Sequence, residues 1–297
     1  MLTIDHQSWL SDRLGETHAL HEISLAPSSP SARIAADLIA KLNSSRGTGW
    51  ERWRMLPHEP LRSEHLNAVR ALADKHRPTT DNLVVLGIGG SALGNIALQS
   101  ALNPHTWNLL PDKKRNGPRI FIIDNVDPTY FGSVLEFCKQ TDPTLERTLF
   151  NVVSKSGETA ETASQFMTIR AMLIEALGEA RHAEHIVAIT DPEKGTMRSI
   201  CDAAGYATLP VPEGVGGRFS VLSPVGLFSA AMGGIDVDAL MDGAAEMEQR
   251  CSIPDLAQNP AAMIATILVR LAREKGKTIH VMMPYANQLY LLADWFR

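Results

Sequence analysis

A series of short apolar runs, each ending in a cluster of turn-forming or polar residues, constrains this fold more than any other feature. None of the runs alternates between apolar and polar residues, which indicates strands buried on both faces. Amphipathic stretches long enough for helices, such as residues 159–177, separate them. The sequence therefore predicts an α/β domain over residues 65–240, in which helices flank a five-stranded parallel sheet. The predicted strands are residues 83–86, 120–123, 149–153, 186–189 and, more weakly, 207–211.

Residues 1–64 are predicted to form a helical N-terminal region. Apolar residues recur at helical spacing in residues 31–42, and the same spacing recurs in residues 61–76 at the start of the next domain. Trp50 and Trp53 follow the same spacing with Leu56 and are interpreted as core residues. The apolar residues at this spacing are Ile34, Leu38, Ile39 and Leu42 in the first stretch, and those on one face of the second are Leu66, Val69, Leu72 and Ala73.

Residues 241–297 are predicted to hold linker helices and the incomplete start of a second α/β domain. Residues 259–275 have a helical apolar stripe, and Gly276 fits as the stop signal of that helix. Residues 278–283 resemble a strand, and residues 287–296 begin another helix. Because the sequence ends inside that amphipathic pattern, we expect a truncated chain.

Charge and cysteine content narrow the class of protein. The formal net charge is −5, and the short basic runs at 113–115 and 273–277 are interpreted as solvated turns, so nucleic-acid binding is not expected. Three widely spaced cysteines predict neither a disulfide framework nor a zinc site. Residues 1–9 have no signal-peptide core, and no stretch reaches the roughly 18 apolar residues of a membrane span. These features predict a soluble cytoplasmic protein without membrane contact.

The first motif that could bind a ligand is the glycine-rich run at residues 87–94, directly after a predicted strand. Glycines let the backbone turn sharply and approach a ligand closely, and Ser91 could open a helix whose N-terminus attracts anions. The run also fits a loose dinucleotide pattern, with Asp124 as the acidic partner of the ribose. A tight turn without any ligand is the structural alternative.

The second motif is Ser-Lys-Ser-Gly-Glu-Thr at residues 154–159, again directly after a predicted strand. Its hydroxyls and backbone N–H groups are suited to a phosphate monoester, and each hydrogen bond to a charged partner contributes roughly 1.5–3 kcal/mol. Ligands of open parallel sheets bind at this end of the strands. The alternative is simple capping of the following helix, in which Glu158 and Glu161 interact with the helix dipole.

The third motif surrounds Arg218, which follows a run of glycines in residues 213–220. Such a flexible backbone allows close approach of a ligand, and an arginine can stabilise developing negative charge. The alternative is an arginine that caps carbonyls in a glycine turn.

Other polar loops are predicted to be structural. Residues 124–128 and 190–192 are interpreted as turns, and their acidic residues match no metal-binding loop, so no metal site is predicted. His185 and His280 are also interpreted as structural because neither has a visible acidic or nucleophilic partner.

Together, the three motifs resemble those of the glucose-6-phosphate isomerase family, in order and in spacing. The third is the most specific, with Glu213 before it and Ser223-Pro224 after it, and Ala92 after Ser91 is similar to the shorter bacterial branch. The resemblance covers essentially the whole chain. It implies two sugar-isomerase (SIS) domains, the first at residues 65–240, and a homodimer at full length.

The resemblance also implies roles for individual residues. Ser154, Ser156 and Thr159 would bind the substrate phosphate together with the backbone of Lys155, and Arg218 would stabilise an enediolate. Glucose 6-phosphate and fructose 6-phosphate would interconvert by transfer of one proton between C1 and C2, without a metal or cofactor. The substrate-binding residues so implied are Gly90, Ser91, Ser154, Lys155, Ser156, Thr159 and Gly217.

The chain also departs from the family's pattern. In the family, a glutamate that acts as the base follows soon after the helix containing residues 294–296, and the ring-opening histidine and a further lysine lie later still. We therefore expect residues 1–297 alone to lack useful turnover, because general acid–base groups contribute roughly 10²–10⁴-fold each. Two alternatives remain: a sugar-phosphate-binding SIS module without catalysis, and a dinucleotide-dependent oxidoreductase based on the glycine run.

Overall fold

The computed structural model describes residues 4, 5, 7–10, 15, 17–20 and 24–297. The predicted helical region and the signal-peptide test at residues 1–9 therefore fall partly outside the described residues. The chain divides into two compact units. One is Met1–Arg54 with Asp242–Met282, and the other is Met55–Met241 with Met283–Arg297.

The second unit contains a sheet of five parallel strands, which confirms the predicted sheet. The strands lie in the order β2-β1-β3-β4-β5, so the order reverses between β1 and β3. Each predicted strand forms, with ends that differ from the prediction by no more than one residue. The strands are β1 (Asn82–Leu86), β2 (Arg119–Ile123), β3 (Thr148–Val153), β4 (Ile186–Thr190) and β5 (Ala207–Pro210).

Helices cover both faces of this sheet, which explains why the strand sequences are continuously apolar. On one face, alternate strand residues such as Val85 and Val153 pack with Leu66 and Phe228. The helices of the second unit are α2 (Leu61–His76), α3 (Gly90–Leu102), α4 (Pro128–Thr141), α5 (Ala160–Leu177), α6 (Thr196–Ala204), α7 (Pro224–Met232) and α10 (Tyr290–Phe296).

The opposite face of the sheet packs against α4, α5 and α6. Phe150 and Val152 of β3 lie there with Phe166 and Ile169 of α5. The helix that follows β1 therefore lies on one face and the helix that follows β3 on the other, since Leu98 of α3 packs with the first cluster.

The first unit holds α1 (Pro30–Ser44) and α9 (Pro260–Lys275), and α8 (Val237–Cys251) crosses the boundary between the units. The predicted helix at 259–275 and its stop are confirmed. Asn259 caps α9 by accepting a hydrogen bond from the Ala262 N–H (2.9 Å), and Gly276 ends it in a left-handed conformation.

The predicted helix at 31–42 forms as α1, but its apolar residues do not all face the core. Ile39 is buried, but Ile34, Leu38 and Leu42 are exposed. The buried face instead carries Ala32 and Ala35, whose small side chains let α1 pack closely in a cluster with residues of α9.

Three further predictions are corrected. Trp50 is 71% exposed and is not a core residue, although Leu56 is fully buried. Residues 278–283 form no strand, because no strand among the described residues lies beside them to share backbone hydrogen bonds. Arg115, assigned to a solvated turn, is buried and donates hydrogen bonds to nearby carbonyls, including that of Gly117 (3.3 Å).

Within the described part of the chain, no helix has the length and apolar character needed to cross a membrane.

Candidate functional site

A cavity of about 430 Å³ lies at the carboxyl ends of β1, β3 and β4. The strand order reverses between β1 and β3, and open parallel sheets bind ligands at such a point because the adjoining helices diverge to opposite faces. Residues from all three strand-to-helix loops line the cavity. Among them are five of the predicted substrate-binding residues: Ser91, Ser154, Lys155, Ser156 and Thr159.

The loop after β3 folds around its own serine side chains. Ser154 is only 4% exposed, and its Oγ accepts a hydrogen bond from the Gly157 N–H (3.0 Å). Ser156 Oγ accepts one from the Glu158 N–H (3.1 Å). A hydroxyl that accepts from an N–H group still carries its own hydrogen, so both serines can donate to an anionic ligand.

The loop after β4 holds this serine loop in place. The carbonyl of Lys155 accepts hydrogen bonds from the Asp191 N–H and the Thr190 hydroxyl, both at 3.1 Å. The carbonyl of Ser156 accepts one from the Met197 N–H (3.3 Å). Gly157 has a positive φ of 77°, and any Cβ there would overlap the Met197 backbone. The cavity wall is therefore preformed by contacts between two loops.

Helix α5 begins at the cavity, and Thr159 is its N-cap residue. The Thr159 hydroxyl makes no capping hydrogen bond. The N–H groups of the first helical turn have no intrahelical acceptors, and the helix dipole favours an anion beside them. Simple capping, the structural alternative for this motif, thus does not account for Thr159, although local N–H groups do use the oxygens of Ser154 and Ser156.

The glycine-rich loop brings α3 to the other side of the cavity. Gly89 has a positive φ of 56°, and α3 begins at Gly90. A Cβ on Gly87 would lie 2.9 Å from Ser91 Cβ, so the turn needs a glycine at that point. Ser91 is half-buried and lines the cavity.

Arg218 lies in a short 3-10 turn, Gly217–Phe219, whose backbone contacts the start of α3. A Cβ on Gly90 would overlap the Gly217 carbonyl and lie 2.7 Å from Arg218 N. Gly90, Gly217 and Arg218 do not line the cavity themselves, but this contact places them next to Ser91, which does. Arg218 is exposed, and among the described residues its guanidinium has no ion pair or carbonyl acceptor, so the carbonyl-capping alternative is not observed.

Sequence reasoning missed the contribution of the loop after β4. Lys194 and Asp191 line the cavity, and Lys194 adds a second cation to Lys155. Asp191 Oδ1 accepts hydrogen bonds from the N–H groups of Glu193 (3.0 Å) and Lys194 (3.1 Å), which confirms the predicted turn. The first of these hydrogen bonds is the main cause of a lowered Asp191 pKa. The position of Lys194, soon after a predicted strand at the ligand-binding end of the sheet, could have identified it.

Asp124, the acidic residue needed by the dinucleotide alternative, does not line this cavity. It lies in a separate one with Tyr130, whose pKa is raised by burial and by the nearby Asp124 carboxylate. Among the described residues, no group of three His, Cys, Asp or Glu side chains could hold a metal ion.

Comparison with known families identifies the chain. Residues 68–297 match the family described as phosphoglucose isomerase. The chain belongs to the phosphoglucose isomerase family. The predicted resemblance is therefore confirmed.

Several bacterial members of the phosphoglucose isomerase family are similar to this chain in sequence. The glucose-6-phosphate isomerase of Carboxydothermus hydrogenoformans is 44% identical over 241 residues, which cover 81% of this chain and 50% of that protein. The glucose-6-phosphate isomerase of Rubrobacter xylanophilus is 44% identical over 238 residues, which cover 80% of this chain and 53% of that protein. The chain thus spans about half the length of the curated relatives it matches.

Solved structures agree with this fold assignment. A hypothetical protein from Thermus thermophilus superposes with a TM-score of 0.75 at 32% identity, covering 92% of this chain and 61% of that chain. A glucose-6-phosphate isomerase from Chlamydia trachomatis superposes with a TM-score of 0.73 at 23% identity, covering 89% of this chain and 53% of that chain. The predicted fold class, a parallel sheet with helices on both sides as in phosphoglucose isomerases, is confirmed.

Proposed function

We propose that this chain binds the phosphate group of glucose 6-phosphate and fructose 6-phosphate and takes part in their interconversion through an enediolate. The observation that carries the proposal is the preformed hydroxyl-lined cavity at the end of β3, in a chain of the phosphoglucose isomerase family. A non-catalytic sugar-phosphate-binding module is the alternative, and it predicts the same binding without turnover.

The phosphate end of the substrate is assigned to the loop after β3. The hydroxyls of Ser154, Ser156 and Thr159 and the first N–H groups of α5 supply donors, and phosphate oxygens are acceptors only. Lys155 and Lys194 line the same cavity, and their positive charges would offset that of the dianion. This division leaves the carbon chain of the sugar on the side of α3.

The reacting carbons are assigned to the side that Gly90, Ser91 and Gly217 form. When a base removes the proton from C2 of the aldose, the electron pair moves through the new C1–C2 double bond onto the C1 carbonyl oxygen. A proton then passes from the C2 hydroxyl to the oxygen on C1, and reprotonation at C1, with the electron pair returning from the C2 oxygen to form the C2 carbonyl, completes the ketose. Arg218, an exposed cation beside Gly90, would stabilise the negative oxygen in between, as donors do in other enzymes that develop an oxyanion.

The phosphate assignment is tested with the double variant Ser154→Ala, Thr159→Ala and calorimetric titration with fructose 6-phosphate. Two lost hydrogen bonds to a charged group, worth roughly 1.5–3 kcal/mol each, predict a loss of affinity of about a hundredfold or more. The matched control is Ser164→Ala, Thr168→Ala, because both of these hydroxyls donate only to carbonyls of α5 itself (2.8 and 2.9 Å).

Wild-type affinity in the first double variant, with the control also unchanged, would show that the phosphate binds elsewhere. Turnover is measured separately with a coupled assay, because the residues assigned here bind and stabilise charge but include no base. Binding without turnover at the full length of the relatives would favour the non-catalytic module.

The family membership supports further proposals about the whole protein. Residues 65–240 form the first SIS domain after a helical region at 1–64, and residues 241–297 begin the second. The protein acts in the cytoplasm, which is consistent with three unpaired cysteines. At full length it forms a homodimer, a point that light scattering would test.

A further inference from the structure

Two glycines one turn apart on α3 form a surface against which the Arg218 segment packs. Gly90 lies against the backbone of Gly217 and Arg218, as described above. One turn further, a Cβ on Gly94 would lie 2.8 Å from both Cβ and Cγ2 of Val221. The segment that carries Arg218 therefore approaches α3 more closely than any other residue type at these two positions would permit.

A buried hydrogen-bond network joins the same two parts of the chain. Asn95 and Ser229 are both fully buried, and the Ser229 hydroxyl donates to Asn95 Oδ1. Asn95 Nδ2 in turn donates to the carbonyl of Ser91 (2.9 Å). Helices α3 and α7 are thus linked directly beneath the serine that lines the cavity.

The segment between Arg218 and α7 is folded tightly on itself. The Ser220 hydroxyl donates to the Gly217 carbonyl (2.7 Å), and the Ser223 hydroxyl donates to the Ser220 carbonyl (2.6 Å). Gly226 leaves room for the Val221 carbonyl, which a Cβ would overlap. A displacement of Val221 or of α7 must therefore move Arg218 as well.

We propose that Gly94, Asn95, Val221 and Ser229 are positioning residues that set the location of Arg218 relative to the cavity. This inference rests on the proposed function, in which Arg218 stabilises negative charge at C1 and C2. None of the four lines the cavity, so they act through the backbone of Arg218. Electrostatic stabilisation of this kind is effective only when the donor is held in place before the reaction.

The test measures how well the chain distinguishes charge at C1. Gluconate 6-phosphate carries a carboxylate where the enediolate oxygen would form, and glucitol 6-phosphate carries a neutral hydroxymethyl group there. Both carry the same phosphate, so the ratio of their dissociation constants reports the interaction with Arg218. Calorimetry on the wild-type chain should show tighter binding of gluconate 6-phosphate by about tenfold or more, the value of one charged hydrogen bond. Arg218→Ala should bring the ratio close to one.

Gly94→Ala adds one methyl group that overlaps Val221, and we expect it to lower the ratio towards that of Arg218→Ala while the affinity for glucitol 6-phosphate stays at the wild-type value. The double variant Gly94→Ala, Val221→Gly removes the overlapping atoms and should restore discrimination. Gly132→Ala is the matched control, because Gly132 is a helical glycine with open space around it. A general loss of stability would not be repaired by a second substitution that itself removes packing.

The outcomes separate this inference from the proposed function. If the wild-type chain binds neither compound, the proposed function fails and the inference fails with it. If it binds both equally, or if Arg218→Ala still discriminates, the phosphate assignment stands but the role of Arg218, and with it the inference, fails. If the wild-type chain discriminates and Arg218→Ala does not, a wild-type ratio in Gly94→Ala overturns the inference alone. Should Gly94→Ala not fold, Ser229→Ala replaces it. A wild-type ratio of dissociation constants in Ser229→Ala would likewise overturn the inference.

Discussion

Gly157 allows close packing of the proposed phosphate cradle, the loop at residues 154–159 after β3, against the start of α6. It has a φ of 77°, and a Cβ at this position would overlap Met197 N and lie 2.6 Å from Met197 Cβ and 2.9 Å from Met197 Cα. Gly157→Ala should therefore force the loop after β3 away from the start of α6. That movement breaks the hydrogen bond from Met197 N–H to the Ser156 carbonyl and disturbs the one from Gly157 N–H to Ser154 Oγ.

The size of the effect follows from two separate costs. A left-handed conformation costs a residue other than glycine about 1–2 kcal/mol. Overpacking against a fixed backbone costs about 1–3 kcal/mol more. We therefore expect Gly157→Ala to lower the free energy of unfolding by about 2–5 kcal/mol. Displacement of even one phosphate-binding donor should weaken sugar-phosphate binding by about tenfold or more.

A second glycine separates the two costs. Gly205 is left-handed with a similar φ of 72° at the end of α6, but a Cβ there would meet no atom within 4 Å. Gly205→Ala should show the conformational cost alone and leave binding unchanged. Urea denaturation followed by circular dichroism and calorimetric titration with fructose 6-phosphate would be applied to both variants. Equal destabilisation by both, with wild-type affinity in Gly157→Ala, would refute the view that Met197 holds the cradle in shape.

Two further predictions concern charge. Lys194→Gln should weaken fructose 6-phosphate binding about fivefold, as for an exposed ion pair, and should reduce the salt dependence of binding. Lys139 is an exposed lysine on α4, and Lys139→Gln should change neither quantity. An unchanged dissociation constant for Lys194→Gln in calorimetry would show that Lys194 does not bind the phosphate. The pKa of His76 is lowered by burial first, then by Lys75 and His185. Because the unfolded chain then binds the proton more readily, the free energy of unfolding should fall as the pH drops below about 6.5. Urea titrations at several pH values give the free energy of unfolding as a function of pH. Its slope against pH should be smaller for His76→Gln than for wild type or for His105→Gln, which changes an exposed histidine. Equal slopes would contradict this prediction.

The sheet could be predicted from the sequence because its signal is local. In β3, the predicted strand at 149–153 and the observed strand Thr148–Val153 differ by one residue, since every position is buried and every position is therefore apolar or hydrogen-bonded. The end of α9 at Gly276 could be predicted for the same reason, because a left-handed helix end favours glycine whatever surrounds it.

The failed predictions share a different physical cause. Apolar spacing identified α1 correctly but not its buried face, which is set by the partner helix and by how closely two alanines let it approach. The segment at 278–283 has the composition of a strand, but a strand also requires a neighbour, and composition cannot specify one. Trp50 was assigned to the core by spacing alone, whereas burial of a large ring depends on the surrounding chain.

The candidate site contains one part that the local sequence determines and one part that contacts between distant segments determine. The motif at 154–159 is largely self-contained, since its serines accept hydrogen bonds from N–H groups two or three residues away, so its residue types indicate its chemistry directly. The position of Arg218 depends instead on contacts between segments far apart in sequence. These contacts are possible because Gly90 and Gly94 have no Cβ. Those glycines contribute no chemical group that a sequence motif could reveal. If the proposed roles are correct, substitutions at Gly94 should impair recognition of charge at C1 selectively, whereas substitutions in the serine loop should impair binding of every sugar phosphate.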